Sequence, residues 1–223
     1  MVLDIYKRAF DYMRKNFADS ILFIISTAVL GFLSIALPIL GAIIYSYFYP
    51  NVVAWYYTKV TGENINPDYK TAFLSLLIPN LLASIGIIFI PYSIYYSPVP
   101  IEYMNPYGSF GYQYYGSYNL LLTIIGWAII LISIILSILL LYTFYGSILG
   151  KVNKLSIYFK KSLILLAYIL LFSIIALLVL AIIYIIYALA ISINYGAMIF
   201  TILSIIFLVP TVTLIALLKA QEL

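Results

Sequence analysis

Neither cysteine nor histidine occurs among the 223 residues. Their absence excludes disulfides, thiolate chemistry, haem and iron–sulfur ligation, the usual zinc sites and any serine–histidine pair. Charge is also scarce, at 8% of residues, against roughly 25% in soluble domains. No phosphate-cradling glycine loop or nucleophile–base pair can be found. No catalytic residue, metal or cofactor is therefore expected, and the chain reads as non-enzymatic.

What the sequence has instead is hydrocarbon: 66% of it is apolar and the mean hydropathy is +1.16. Four uncharged stretches, Ser20–Thr58, Thr71–Ile101, Tyr103–Gly150 and Ser162–Leu218, each exceed the ~20 residues needed to cross a bilayer as a helix. The first, 39 residues long with Pro38 and Gly41 near its middle, reads as two helices joined by a very tight turn. A third is predicted from an Asn66 N-cap and Pro67 to about Tyr96, where Ser97-Pro98-Val99-Pro100 stops it. Residues 97–119 turn to Tyr, Gly, Pro and Ser, which is loop chemistry. The fourth helix is expected over Leu120–Tyr145. The last stretch, dividing at Asn194-Tyr195-Gly196, supplies a fifth and a sixth. The expected fold is thus an all-α polytopic membrane protein: six transmembrane helices as three helical hairpins over residues 20–223, with 97–119 as an exterior loop. Pro79, Pro91 and Pro210 fall inside spans, where neighbouring helices can satisfy freed carbonyls.

Residues 1–19 spread their charges and lack a signal-peptide pattern, so the segment is expected to be retained. Leu3, Tyr6, Phe10, Met13 and Phe17 recur at three- and four-residue spacing, with Lys7, Arg8, Asp11, Arg14 and Lys15 on the other faces. That pattern predicts an interfacial amphipathic helix.

Charge placement tests the number of spans, because Lys and Arg accumulate in cytoplasmic loops. Six spans with the N-terminus inside put all 11 basic residues on the cytoplasmic side, whereas a single long span over Ser20–Thr58 divides them four to seven. A cell-membrane protein with both termini cytoplasmic is expected. Lys7, Arg8, Arg14, Lys15, Lys151, Lys154, Lys160 and Lys161 then read as membrane-surface basic residues, so the net charge of +4 points to anionic lipid rather than nucleic acid.

Three cytoplasmic entries look alike: Tyr6-Lys7-Arg8-Ala9-Phe10, Tyr69-Lys70-Thr71-Ala72-Phe73 and Phe159-Lys160-Lys161-Ser162-Leu163. They are either copies of one repeated unit or the ordinary Lys and aromatic chemistry of an interface. Tyr6 to Phe17, Leu37-Pro38-Ile39-Leu40-Gly41, and Thr61-Gly62-Glu63 ahead of Tyr69 to Phe73 carry a resemblance. The chain is similar to a broad group of six-helix bacterial and archaeal membrane proteins, related in pattern to the membrane domain attached to some glycerophosphodiester phosphodiesterases. The resemblance implies a six-helix module over nearly the whole chain. It implies no phosphodiesterase activity, since nothing here corresponds to that catalytic domain.

Asn80, after Pro79, is the one amide placed deep in a span. It reads either as helix packing or as an intramembrane polar site. Tyr107, Tyr112, Tyr114 and Tyr115 in the exterior loop read as interfacial anchors, a folded cap or a partner contact. Gly126, Gly146 and Gly150 could let helices approach closely. The leading functional reading is a subunit or accessory protein whose partners are membrane lipids and other membrane proteins or its own copies. The alternative is a transporter or permease subunit for a neutral or amphipathic solute. An intramembrane lipid-modifying enzyme would lack the usual acids and bases. Glu102 is the one charged residue expected outside, and the Ile- and Tyr-rich composition is thermophile- and archaeal-like, so a harsh external medium is expected.

Overall fold

The computed structural model describes residues 2–95, 99–104, 110–115, 120–190 and 193–223. The order is α1 (Val2–Lys15), α2 (Phe17–Ala36), α3 (Pro38–Thr61), α4 (Tyr69–Tyr95), β1 (Val99–Met104), β2 (Phe110–Tyr115), α5 (Leu120–Leu139), α6 (Leu141–Ile148), α7 (Phe159–Ala190) and α8 (Ile193–Glu222). Among the described residues, five helical segments are long and apolar enough to cross a membrane: Phe17–Ala36, Tyr69–Ile90, Leu121–Leu139, Phe159–Ile182 and Thr201–Glu222. This is a helical, multi-pass membrane protein whose apolar helices contact lipid. α3 is not among the five; four tyrosines, Asn51 and Pro50 in its first 19 residues lower its hydropathy.

One residue, Leu37, separates α2 from α3 (φ −128°, ψ 77°). The turn is that tight because Gly41 lies against the Leu33 carbonyl, where a Cβ would collide with backbone. The two helices then run back along each other. Ser20 Oγ and Tyr56 OH share a 2.9 Å hydrogen bond, Phe23 stacks on Tyr56 at 4.4 Å, and Asn16 Nδ2 donates to the Val60 carbonyl at 3.3 Å.

α4 packs antiparallel on α3. Ser84 Oγ donates to the Pro38 carbonyl at 2.7 Å, Asn80 Nδ2 to Ser46 Oγ at 3.1 Å, and Tyr47 meets Phe73 edge-on at 6.2 Å. α5 returns along α4, with Ser133 Oγ on the Pro79 carbonyl at 2.8 Å. Gly86 and Gly126 face each other so closely that a Cβ on either would lie within 2.9 Å of the other's carbonyl oxygen. α7 and α8 are paired, Lys219 of α8 lying 4.4 Å over the ring of Tyr168 near the start of α7. Each long helix therefore neighbours the next, and α8 reaches back to α2.

Three sequence expectations change. The helix expected over Leu120–Tyr145 turns at Leu140 (φ −90°, ψ 0°) into α6, because Ser162 Oγ donates to the Leu139 carbonyl and accepts from the Tyr142 N–H. The N-cap of α4 is Asp68, whose carboxylate accepts from the Thr71 N–H and hydroxyl at 3.3 and 2.7 Å. Asn194, Tyr195 and Gly196, where the divide was expected, belong to the first turn of α8, which begins at Ile193, while α7 ends at Ala190. Val99–Met104 and Phe110–Tyr115 form an antiparallel two-stranded pairing, Val99 opposite Tyr115 and Met104 opposite Phe110.

The buried core gathers at the lysine-rich end: Ile5, Ala9 and Met13 of α1, Val53, Ala54, Tyr56, Tyr57 and Val60 of α3, nearly all of α6, and Leu214 to Ala220 of α8. Burial from water drives packing only where water is the alternative. Toward the middle of the long helices, apolar side chains such as Trp127, Leu131 and Leu178 face outward, 59 to 61% exposed.

Candidate functional site

The polar chemistry of the described residues collects at that same end. Arg8 pairs with Glu222 at 3.0 Å, and Lys219 pairs with the same carboxylate at 3.1 Å. Lys151 reaches the main-chain oxygens of Ala220 and Gln221, and Lys161 that of Leu223 at 2.6 Å. The last turn of a helix has carbonyls without intrahelical partners and a partial negative charge, so these lysines serve as its cap. Gln221 Nε2 donates to Glu63 at 3.0 Å, and Tyr57 OH donates to the same carboxylate at 2.7 Å. Five segments, α1, the α3–α4 connection, residues 151–158, α7 and the end of α8, are thereby tied together.

The basic residues singled out from sequence consequently divide. Arg8, Lys151 and Lys161 are engaged with α8, while Lys7, Arg14, Lys15, Lys154 and Lys160 are exposed. On α1 the apolar positions divide too. Ile5, Ala9 and Met13 are buried, whereas Leu3 and Phe10 are exposed; Phe17, also exposed, begins α2. A hundred degrees per residue places these as adjacent arcs, so α1 docks with one and presents the other beside Lys7 and Arg14. Tyr6 donates to the Tyr168 carbonyl at 3.0 Å, and burial there pushes its hydroxyl above the ordinary tyrosine range.

α6 is the element the sequence concealed. All of its residues from Tyr142 to Ile148 are buried, and it touches α3, α4, α7 and α8. Thr143 Oγ1 donates to the Ser156 carbonyl, Lys161 Nζ to Tyr142 OH at 3.2 Å, and Tyr49 of α3 stacks on Phe144 at 5.8 Å. Its Tyr, Thr, Ser and Gly content was the available signal, since so polar a run at the end of an apolar helix needs partners on every side.

Asn80 is held by Ser46, one turn before Ser84. Tyr112, Tyr114 and Tyr115 fall on β2, and Tyr107 lies outside the described residues. Among the described residues no three acidic side chains gather as a metal-ligating set. Cavities open on the outer face of α3, against α2 and α4. No family profile, no characterised protein and no solved structure matches this chain.

Proposed function

We propose that the protein is a six-span membrane protein, arranged as three hairpins with both termini cytoplasmic, that acts through contacts as a subunit or accessory component of a membrane assembly. The observation that carries this reading is α6, which fills the bundle at its basic end with buried side chains bonded to their neighbours. A conducting path needs polar groups left for a solute. Here Asn80, Ser84 and Ser133 are each spent on a neighbouring helix. The outward apolar faces of α5 and α7 are open to lipid or a partner. The exposed arc of α1, flanked by Lys7 and Arg14, suits an interfacial helix. The likeness to the membrane domain of some glycerophosphodiester phosphodiesterases fits the same reading.

Photo-crosslinkers placed at Trp127 and Leu178 in native membranes test it. A discrete adduct with one protein, recovered at a fixed ratio in mild detergent, is the expected result. Adducts with lipid alone, or solute flux through the purified protein in vesicles, would overturn the reading.

A further inference from the structure

Tyr47, Asn51, Trp55 and Lys59 recur every fourth residue, which places them on one stripe of α3, and all four are exposed. The stripe faces the first turn of α4, and together they line two adjoining cavities. One, of about 260 Å³, includes Asn51, Trp55, Lys59 and Tyr69; the other, of about 430 Å³, includes Tyr47, Asn51, Tyr69 and Lys70. On the opposite side of the Asn51–Trp55 ridge a third, of about 360 Å³, runs along Leu22 and Ser26 of α2.

Neither Lys59 nor Lys70 has an ion pair or hydrogen bond among the described residues. The nearby carboxylates are turned elsewhere, Asp68 to Thr71 and Glu63 to Tyr57 and Gln221. Lys70 stands at the start of the apolar segment Tyr69–Ile90, so two free ammonium groups flank a groove at the boundary between water and hydrocarbon. Trp and Tyr favour that level. Away from Lys59 the groove continues onto Tyr47, 61% exposed, and Phe73, a surface that an acyl chain covers and a small anion does not.

We infer that this groove binds an anionic phospholipid, its phosphate between Lys59 and Lys70 and its two chains on either side of the Asn51–Trp55 ridge. The site rests on the six-span reading to the extent that α3 must cross the bilayer beside α4, and it stands whether or not the protein is a subunit of anything. Its lysines are separate from those that cap α8.

The chain has two tryptophans, so Trp127→Phe leaves Trp55 as a reporter inside the groove. In nanodiscs of neutral phosphatidylcholine, a minor fraction of brominated phosphatidylglycerol should quench Trp55 well beyond the same fraction of brominated phosphatidylcholine. The preference should fall about fivefold for Lys59→Gln or Lys70→Gln and roughly thirtyfold for both, while the double arginine variant keeps it. Inorganic phosphate should not relieve the quenching. Equal quenching by the two lipids in the parent protein, or relief by phosphate, would overturn the assignment.

Discussion

Single side chains here act mainly by fixing how closely helices approach. Gly86 and Gly126 let α4 and α5 meet backbone to backbone, and valine at position 86 must push them apart. Overpacking of this kind costs about 1–3 kcal/mol, so Gly86→Val should lower stability to unfolding in mixed detergent micelles by that order. Asn80→Ala removes one hydrogen bond to Ser46, and interhelical bonds of this sort average about 0.6 kcal/mol. The smaller effect is expected for the asparagine even though it is the more conspicuous residue in sequence. A loss from Asn80→Ala larger than that from Gly86→Val would mean that Asn80 does more than hold Ser46.

Elements were legible in proportion to how uniform their chemistry is. The apolar runs announced the long helices, and Pro38 with Gly41 announced the turn at Leu37. The bend at Leu140 was not legible, because what makes it is Ser162, 22 residues further along, whose hydroxyl serves both Leu139 and Tyr142. Periodicity reports a helix's own faces and is blind to a distant side chain inserted at its end. The same limit explains α1. An arc through Leu3, Tyr6, Phe10 and Met13 was visible, but the docked face, formed by Ile5, Ala9 and Met13 with Leu3 and Phe10 left exposed, depends on where α8 ends. Ser162→Ala should cost about 1–3 kcal/mol, since it leaves the half-buried Leu139 carbonyl and the buried Tyr142 N–H without their partner. Ser137→Ala, which loses only a bond to its own helix at Ser133, should change stability by less than about 0.5 kcal/mol. Equal thermal shifts for the two variants would remove Ser162 as the cause of the bend.

At the scale of the whole molecule, the question is on which side of the membrane each connection lies. α3 decides it. If α3 failed to cross, residues 62–68 would be separated by the bilayer from residues 2–15. Yet Asn16 donates to the Val60 carbonyl, Arg8 pairs with Glu222, and Gln221 bonds Glu63. A bond of 3 Å cannot reach across ~30 Å of hydrocarbon, so these contacts require the N-terminal helix, the α3–α4 connection and the end of α8 to share one side. The proposed six spans satisfy that requirement and also place all 11 basic residues there. The cysteine-free chain makes single-cysteine labelling clean. Cysteine at Lys15, Asn64 or Asn153, all exposed, should react with an impermeant maleimide only when the cytoplasmic face is open, and cysteine at Ser109 only from outside. Positions 64, 109 and 153 alone would not discriminate, because loss of one crossing inverts them together. The informative comparison is 15 against 64: the same side is expected, and opposite sides would mean that α3 does not cross and that the hydrogen bond from Asn16 to Val60 does not form in the membrane.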